Sequence, residues 1–322
     1  MNRIGIVGAG AWGTALAVQA ARAGNAVTLW VRDPAQAAGV AASRRSPRLP
    51  DVPLPPEVEA TADLTAVDGD LLLLAVPMRH FREIAARLRA SAPLVACTKG
   101  VEQKTLRLPL EILSELHPAQ PAAILTGPNF AREIATGLPA AAVIASADAG
   151  LRARVADRLG TASFRLYGND DPAGAQIGGA AKNVVAIAAG AVIGAGLGEN
   201  ARAGLVTRGL AELARLATAL GGRAETVTGL SGMGDLLLSC TSATSRNFAF
   251  GQSLGQGTSV ADLLAASTTA IEGVWTAPAL VARAGAVDLD LPICAAVADL
   301  LAGRTTLSQA IAAVLARPRR DE

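Results

Sequence analysis

The sequence is poor in cysteine, in net charge and in lysine. Its three cysteines, Cys97, Cys240 and Cys294, lie far apart and form no C-x-x-C pair, which argues against both a disulfide framework and a zinc site. A net charge of +2 gives no long-range attraction for nucleic acid, and a hydrophobic content of 51% excludes a disordered chain. We therefore expect a globular protein of the reducing cytoplasm that acts on small molecules and holds no metal ion.

Lysine is by far the scarcer of the two strongly basic residues. Of 29 lysines and arginines only three are lysines, Lys99, Lys104 and Lys182. The sequence uses arginine wherever a plain positive charge suffices, whereas a lysine can also give up its proton. Each lysine is therefore either a solvated surface charge or a candidate for proton chemistry.

No stretch of the chain predicts a membrane span. The apolar run Arg3–Ala21 contains Gly8, Gly10 and Gly13, which would weaken the helix of a signal peptide. The uncharged run Val184–Gly198 is shorter than the roughly 20 residues that a span requires. We therefore expect neither a leader peptide nor a transmembrane helix.

The first half of the chain alternates short apolar runs with helical patterns. Runs rich in valine, isoleucine and leucine predict the strands Arg3–Val7, Ala26–Val31, Asp70–Val76, Leu94–Thr98, Ala122–Thr126, Ala140–Ala145 and Ser163–Leu166. Amphipathic segments between most of them predict helices, including Gly13–Ala23, Arg79–Arg89, Leu106–Leu116 and Ala149–Leu159. Strands joined by crossover helices form a largely parallel, doubly wound α/β sheet.

Strand signals end near Pro172. Long helical patterns rich in alanine and leucine follow, at Ala173–Ile193, Ala201–Leu220, Val260–Ala266, Thr276–Arg283, Ala295–Leu301 and Ser308–Ala316. This change predicts two domains, an α/β domain over residues 1–172 and an all-helical domain over residues 173–322. The stretch Arg44–Pro56, rich in proline and arginine, breaks the rhythm of the first domain and predicts an exposed loop.

A glycine motif directly follows the first predicted strand and directly precedes the first helix. In this G-x-G-x-x-G, Gly8 can form the tight turn, Gly10 can let a pyrophosphate approach the backbone, and Gly13 can let helix and strand pack closely. The N-terminus of the helix offers free N–H groups to the phosphates. The sequence therefore predicts a site for a dinucleotide, NAD or NADP.

Two charged residues at the end of the second strand leave the choice of dinucleotide open. Asp33, twenty residues after Gly13, could accept hydrogen bonds from the ribose hydroxyls of NAD. Arg32 beside it could neutralise the 2′-phosphate of NADP. The pair is compatible with NADP or with use of both cofactors.

Hydride transfer to a carbonyl creates an oxyanion that must be protonated or stabilised. Of the two histidines, His117 ends a helical pattern, whereas His80 follows a strand and could line a site. The lysines are better placed: Lys99 follows the fourth strand, at the carboxyl edge where doubly wound sheets bind ligands. Lys182 lies near the start of the first long helix of the second domain.

Two polar clusters are hard to explain by packing alone. Gly127–Ala131 follows the fifth strand, at the same sheet edge as Lys99. Ser231–Asn247 brings a carboxylate, several hydroxyl groups and a guanidinium close together in the second half. Arg246 with Asn247 could hold a phosphate, because the planar guanidinium matches its oxygens; a capped loop between helices is the alternative.

Taken together, these segments resemble the NAD(P)-dependent glycerol-3-phosphate dehydrogenase family over nearly the whole chain. The resemblance is carried by an ordered set of motifs, G-A-G-A-W-G-T-A at Gly8–Ala15, T-K-G at Thr98–Gly100, G-P-N-F-A at Gly127–Ala131, K-N at Lys182–Asn183, S-G-M-G-D at Ser231–Asp235, S-R-N at Ser245–Asn247 and E-G-V at Glu272–Val274. It implies a Rossmann-type domain followed by a helical substrate domain. It also implies reduction of dihydroxyacetone phosphate to sn-glycerol 3-phosphate for membrane lipids, by a homodimer.

The resemblance also assigns roles to residues. Lys182 corresponds to the catalytic general acid/base, Asp235 would orient or tune it, and Lys99 would contact both cofactor and substrate. The residues implied to hold the cofactor are Gly8, Gly10, Ala11, Trp12, Gly13, Arg32, Lys99, Ala131, Arg246, Ala270 and Glu272. Those implied to hold the substrate are Lys99, Gly127, Asn129, Lys182, Asp235, Ser245, Arg246 and Asn247. Asn129 stands where the family often has serine, and Met233 replaces a frequent leucine.

Other two-domain proteins share part of this pattern. A ketopantoate reductase or a relative of phosphogluconate dehydrogenase would have the glycine motif and a lysine, but should lack the S-G-M-G-D and S-R-N pair. A dinucleotide sensor without catalytic activity would bind the cofactor and turn over no ketone. The placement of two of only three lysines in motifs argues against such a sensor.

Overall fold

The computed structural model describes residues 2–89, 91–267 and 269–316. The chain divides into two compact units. The α/β unit comprises Met1–Lys99 and Arg107–Gln176, and the helical unit comprises Gly100–Leu106 and Ile177–Glu322. The predicted fold class, a doubly wound α/β half followed by a helical half, is confirmed.

An eight-stranded sheet forms the core of the α/β unit. Its strands are β1 (Arg3–Val7), β2 (Ala26–Trp30), β5 (Val58–Thr61), β6 (Leu71–Leu74), β7 (Leu94–Ala96), β8 (Ala122–Thr126), β9 (Ala140–Ala145) and β10 (Phe164–Asn169). Their order is β10-β9-β8-β7-β6-β1-β2-β5, and all neighbouring strands are parallel except β8 and β9. The parallel strands β1, β6 and β7 are buried almost throughout, which explains why they appear in the sequence as continuous apolar runs.

In the described residues, six α-helices complete this unit before the first long helix begins. They are α1 (Ala11–Arg22), α2 (Pro34–Ser43), α3 (Met78–Ala86), α4 (Pro109–Leu116), α5 (Ala131–Thr136) and α6 (Ala149–Leu159). Because α1 directly follows the turn after β1, its N-terminus lies at the carboxyl end of the central strands. That edge is where open α/β sheets bind their ligands.

The stretch Arg44–Pro56 is largely exposed, as predicted, but it is not simply a loop. It contains two short antiparallel strands, β3 (Arg45–Ser46) and β4 (Leu49–Pro53). Leu49 and Val52 are buried in the core of the unit, and the Arg44 guanidinium donates hydrogen bonds to three backbone carbonyls of the segment that follows. Proline and arginine conceal this hairpin in the sequence, because its stability comes from tertiary contacts.

Helices make up the second unit. They are α7 (Pro172–Gly194), whose first turn belongs to the α/β unit, α8 (Gly198–Ala219), α9 (Ala224–Thr228), α10 (Asp235–Thr241), α11 (Arg246–Gly255), α12 (Val260–Ala266), α13 (Glu272–Gly285), α14 (Pro292–Leu301) and α15 (Leu307–Leu315). A π-helical turn, Leu230–Gly234, leads into α10. In the described part of this unit no strand is present.

The division between the units differs from the boundary expected between residues 172 and 173. It lies near Gln176, whose side chain accepts a hydrogen bond from the backbone N–H of Leu110 (2.8 Å) within the α/β unit. The segment Gly100–Leu106 belongs to the helical unit although it follows β7. Its Gln103 side chain donates to the carbonyl of Trp275 (3.4 Å).

Helix α7 is long and apolar enough to cross a membrane, yet 83% of its most apolar window is buried inside the protein. Its glycines explain the burial. A Cβ atom added at Gly190 or Gly194 would collide with the backbone of α11, at Phe248 and Gln252 respectively. Helices α7 and α11 therefore cross in direct backbone contact, which only glycine permits at those positions.

Candidate active site

The turn between β1 and α1 has the geometry that a pyrophosphate requires. Gly8 has a φ of +113°, a conformation that side chains disfavour. A Cβ at Gly13 would collide with the Gly8 carbonyl oxygen, so the first turn of α1 packs directly on the strand end. A Cβ at Gly10 would meet nothing within 4 Å, which leaves its backbone open to a ligand. These residues fit a dinucleotide.

The other residues expected to hold a cofactor in the α/β unit surround this turn. Ala11 and Trp12 begin α1 and are half-buried. Strand β2 ends in the core, and Val31 after it is also buried. The next residue, Arg32, is exposed. Ala131 begins α5. All four follow or flank the carboxyl ends of strands, where the sheet presents its ligand-binding edge.

Lys99 lies at the end of the strand segment that continues β7. Its Nζ donates a hydrogen bond to the carbonyl oxygen of Gly127 (3.0 Å), so two predicted site residues are in direct contact. The preceding residue fixes the backbone, because the Thr98 hydroxyl donates to the Val76 carbonyl (2.6 Å). The Lys99 ammonium is thereby held at the carboxyl edge of the sheet.

Asn129 and Thr126 carry buried polar atoms at the same edge. Both side-chain polar atoms of Asn129 and the Thr126 hydroxyl are buried, and within the described residues they have no hydrogen-bond partner. Buried polar groups are normally paired, and each unpaired one costs about 1–3 kcal/mol. Unpaired donors and acceptors next to Lys99 and Gly127 are what a polar ligand would satisfy.

Lys182 is the centre of the site in the helical unit. Its Nζ donates to Asp235 Oδ1 (2.7 Å) and to Ser239 Oγ (2.7 Å). The Lys182 side chain is 14% exposed and that of Asp235 only 1%. The carboxylate is therefore removed from water and opposed by the ammonium of a lysine that keeps a small exposed fraction.

Ser239 was missed by sequence reasoning. The S-G-M-G-D segment gave no helical signal, whereas the structure places Asp235 at the start of α10. Residues four apart on a helix lie on the same face, so Asp235 and Ser239 both reach Lys182. Recognition of that helix would have identified the serine.

The neighbouring Cys240 does not compete for the ammonium. Burial raises the pKa of its thiol to about 12, and the Asp235 carboxylate acts in the same direction. The thiol is therefore neutral near pH 7, which leaves Asp235 as the anion beside Lys182.

A pair of asparagines joins α7, α11 and α13. The Asn247 Nδ2 donates to Asn183 Oδ1 (2.9 Å), and the Asn247 Oδ1 accepts from the backbone N–H of Gly273 (3.0 Å). Both asparagines are buried. Asn183 was not among the predicted site residues, although it directly follows Lys182. The Asn247 amide contacts both Asn183 and Gly273 and so links the three helices.

The remaining predicted residues of the helical unit lie around this pair. Arg246 is the first residue of α11, and its Nη1 donates to the carbonyl of Ala270 (3.1 Å). Ser245 caps α11 through the N–H of Phe248 (3.4 Å). Glu272 begins α13. The structure thus brings together the S-R-N and E-G-V motifs, which the sequence separates by 24 residues or more.

The two histidines have different surroundings in the α/β unit. The His117 ring makes a hydrogen bond with the Ala85 carbonyl (2.8 Å) just after α4, which gives it a structural partner. His80 is half-buried in the first turn of α3 and accepts a hydrogen bond from Arg79. Only His80 lies at the carboxyl end of a central strand.

Known proteins resemble this chain over its whole length. Family models described as the N-terminus and the C-terminus of NAD-dependent glycerol-3-phosphate dehydrogenase match residues 3–151 and 171–312. A glycerol-3-phosphate dehydrogenase (NAD(P)+) of Gluconobacter oxydans is 49% identical, over 98% of this chain and 97% of that protein. The corresponding protein of Acidiphilium cryptum is 53% identical, with the same coverage of both chains.

A solved structure shows the same likeness in three dimensions. The crystal structure of glycerol-3-phosphate dehydrogenase from Coxiella burnetii superposes with a TM-score of 0.94 at 37% identity. The match covers 98% of this chain and 99% of that one. Both units are therefore present in the relative, in the same chain order.

Proposed function

The chain belongs to the NAD-dependent glycerol-3-phosphate dehydrogenase family, and we propose that Lys182 is the general acid/base of its reaction. The protein is an NAD(P)-dependent oxidoreductase that interconverts dihydroxyacetone phosphate and sn-glycerol 3-phosphate. The observation that carries the lysine assignment is the buried contact of Lys182 with Asp235 and Ser239. The family models favour this assignment over the three alternatives, which were a ketopantoate reductase, a phosphogluconate dehydrogenase relative and a dinucleotide sensor.

The donors of Lys182 support a role in proton transfer. An ammonium has three N–H donors, and two of them go to Asp235 and Ser239. Within the described residues the third donor is left for a substrate oxygen. When the ketone is reduced, that donor gives its proton to the oxygen, and the amine recovers a proton from water. Asp235 stabilises the charged form and fixes its direction.

The phosphate of the substrate needs a separate anchor. Arg246 supplies a planar guanidinium that can bind phosphate oxygens in pairs, and the Ala270 carbonyl restrains it. Asn247 and Ser245 hold the first turn of α11 through their own hydrogen bonds. We assign Gly127, Asn129 and Lys99 to the substrate as well, because the buried amide of Asn129 has no protein partner in the described residues.

The cofactor residues divide between the two units. Gly8, Gly10, Ala11, Trp12 and Gly13 would hold the pyrophosphate side of NAD or NADP, and Arg32, Lys99 and Ala131 complete the set in the α/β unit. Arg246, Ala270 and Glu272 complete it in the helical unit. When bound, the reduced nicotinamide supplies the hydride that adds to the carbonyl carbon.

The protein acts on small molecules, and its surroundings in the cell are part of the proposal. We place it in the cytoplasm, as a homodimer that supplies glycerol phosphate for lipids. Its three cysteines are buried free thiols, which suits a reducing compartment. The division of labour follows the predicted domains: the α/β unit binds the dinucleotide, and the helical unit carries the lysine and the phosphate anchor.

The lysine assignment is tested by Lys182→Arg. Arginine keeps the positive charge but cannot give up its proton, so kcat should fall by at least about a hundredfold. The dissociation constant of NADPH, measured by fluorescence titration without ketone, should stay within about twofold of the wild-type value.

Lys104→Arg is the matched control, because Lys104 is an exposed lysine in the same sequence. Its kcat should equal that of the wild type. Near-normal turnover of Lys182→Arg would refute the role of Lys182 in proton transfer. A loss of cofactor binding in that variant would instead indicate a structural role.

A further inference from the structure

We propose that the buried hydroxyl group of Thr126 is a further specificity-determining group of this enzyme, which recognises the uncharged hydroxymethyl end of the three-carbon substrate. The proposal rests on the proposed function, because it concerns how the α/β unit selects that substrate. It adds to the site a residue to which the sequence analysis assigned no role.

Thr126 lies beside the point at which the polar groups of the α/β unit meet. It is the last residue of β8 and is 2% exposed. The next residue, Gly127, turns the chain with a φ of +131°. Lys99 Nζ donates to the Gly127 carbonyl oxygen (3.0 Å), and a Cβ at Gly127 would lie 3.5 Å from Asn129 Nδ2. Thr126 is therefore one residue from the point on which the Lys99 ammonium and the Asn129 amide converge.

A neighbouring threonine at the same sheet edge has a structural partner. Strands β7 and β8 are parallel, with Ala96 beside Ile124. Two residues further along each chain, the same register brings Thr98 beside Thr126. The Thr98 hydroxyl donates to the Val76 carbonyl (2.6 Å), whereas the Thr126 hydroxyl has no hydrogen-bond partner within the described residues. The two hydroxyl groups therefore have different roles.

An unpaired hydroxyl at a buried position opposes folding. Burying a hydroxyl group without a hydrogen bond costs free energy, and valine would fill the same volume without that cost. The residues that precede Thr126 on β8, Ile124 and Leu125, are apolar and buried. Packing alone thus favours a methyl group at this position, so the hydroxyl is better explained by a ligand than by the fold.

The unpaired atoms match an alcohol better than a phosphate. In the part of the chain that the structure describes, the amide nitrogen and oxygen of Asn129 are buried without partners, as is the Thr126 hydroxyl. Together they offer donors and acceptors and carry no charge. An alcohol both donates and accepts a hydrogen bond, whereas a fully ionised phosphate only accepts.

One end of the substrate has that chemistry. Dihydroxyacetone phosphate and sn-glycerol 3-phosphate both carry a hydroxymethyl group on the carbon farthest from the phosphate. The proposed function gives the phosphate to Arg246 and the reacting oxygen to Lys182. The hydroxymethyl group is the remaining polar part of the molecule, and Thr126 with Asn129 supplies both a donor and an acceptor for it.

The test compares dihydroxyacetone phosphate with acetonyl phosphate, the same ketone with hydrogen in place of that hydroxyl group. Steady-state reduction is measured on the full-length protein at a saturating concentration of NADPH or NADH. The wild type should prefer dihydroxyacetone phosphate by at least about a hundredfold in kcat/KM, because a site that binds a substrate hydroxyl rejects the analogue without it. Thr126→Val should lower kcat/KM for dihydroxyacetone phosphate by about tenfold and leave that for acetonyl phosphate within about twofold. Thr126→Ser keeps the hydroxyl group and should keep the preference.

Stability separates recognition of the substrate from a structural role. Since Thr126→Val removes an unpaired hydroxyl group, its urea midpoint should equal or exceed that of the wild type. Thr207→Val is the matched control, because Thr207 is exposed on α8 and its hydroxyl donates to the Ala203 carbonyl of the same helix (3.0 Å). It should leave kcat/KM for both ketones unchanged.

The outcomes divide clearly. A selective loss for dihydroxyacetone phosphate in Thr126→Val, without a lower urea midpoint and with the preference kept in Thr126→Ser, supports the proposal. Parallel losses for both ketones, a lower urea midpoint in Thr126→Val, or loss of the preference in Thr126→Ser would overturn it. If the wild type reduces neither ketone, the proposed function itself fails. If it reduces both equally well, the proposed function stands and the role of Thr126 alone is refuted.

Discussion

The α/β unit and the helical unit hold their functional groups by different physical means. In the α/β unit the groups follow strand ends, and the backbone does most of the positioning, as at Gly8 and at the Gly127 carbonyl that binds Lys99. In the helical unit Lys182 and Asn247 lie within helices, and side chains hold them. The first arrangement depends on backbone conformation and close approach, which at Gly8 and Gly13 leave no room for a side chain. The second depends on the identity of buried polar residues.

Of the changes that test this contrast, breaking the buried ion pair of Lys182 and Asp235 should lower stability most. Asp235→Asn leaves the Lys182 ammonium largely buried without its counter-charge, which should lower the free energy of unfolding by about 3 kcal/mol or more. Urea denaturation measures the loss. Turnover should fall as well, because the ammonium loses the group that orients it.

The matched control is the exposed pair of Arg304 and Asp299. Asp299→Asn should cost less than about 1 kcal/mol, since water screens an exposed pair. Equal losses of unfolding free energy in Asp235→Asn and Asp299→Asn would contradict the greater importance of the buried pair.

The crossing of α7 and α11 tests whether backbone contact also matters in the helical unit. Gly190→Ala inserts a methyl group against the carbonyl oxygen of Phe248, and the helices must separate. Overpacking of this kind should cost about 1–3 kcal/mol in thermal or urea unfolding.

Gly204→Ala on α8 gives the opposite expectation. A Cβ at Gly204 meets nothing within 4 Å, so alanine should stabilise the helix by up to about 1 kcal/mol. If Gly190→Ala and Gly204→Ala both raised the free energy of unfolding, α7 and α11 would not be in close contact.

The smallest effect is expected at Glu212, a second buried acid of the helical unit. Its carboxylate accepts the N–H groups of Ile293 and Cys294 at the start of α14. Burial raises the pKa of Glu212 above its ordinary value of 4.5, despite these two hydrogen bonds. The folded state therefore binds a proton more tightly than the unfolded state does.

The sign of the pH dependence follows from that difference. The contribution of Glu212 to stability is fully present below pH 4.5 and is lost as pH rises through the folded-state pKa. Glu212→Gln should remove this dependence. The free energy of unfolding of the variant should therefore rise relative to that of the wild type as pH increases from 4.5 to 7. Denaturation at several pH values measures it; parallel curves for the two proteins would contradict the assignment.

The sequence predicted the α/β half better than the helical site, for physical reasons. Buried strands such as β7 and β8 are continuous apolar runs, and Lys99 and Gly127 follow their carboxyl ends, so the sequence alone places both residues at the same sheet edge. The edge strand β5 and the hairpin of β3 and β4 lack such runs, because their packing is one-sided.

The helical site depended on features that local sequence does not determine. The π-helical turn before Asp235 exists because Gly232 packs on the backbone of Val227, where a Cβ would collide. The glycine-rich sequence of this turn is typical of a loop. Sequence analysis therefore did not predict α10, the helix that places Ser239 on the same face as Asp235. The amide pair of Asn183 and Asn247 likewise joins residues 64 positions apart.

That amide pair also determines how α11 lies along α7. The close contacts repeat every four residues, at Gly190 and Gly194 and again at Gly251 and Gly255, so a slide of one helical turn, about 5.4 Å, would preserve much of the steric fit. Such a slide would leave the amides of Asn183 and Asn247 unpaired in the interior. Glycine therefore sets how closely the two helices approach. The asparagine pair selects the register in which Asn247, the neighbour of Arg246, meets Asn183, the neighbour of Lys182.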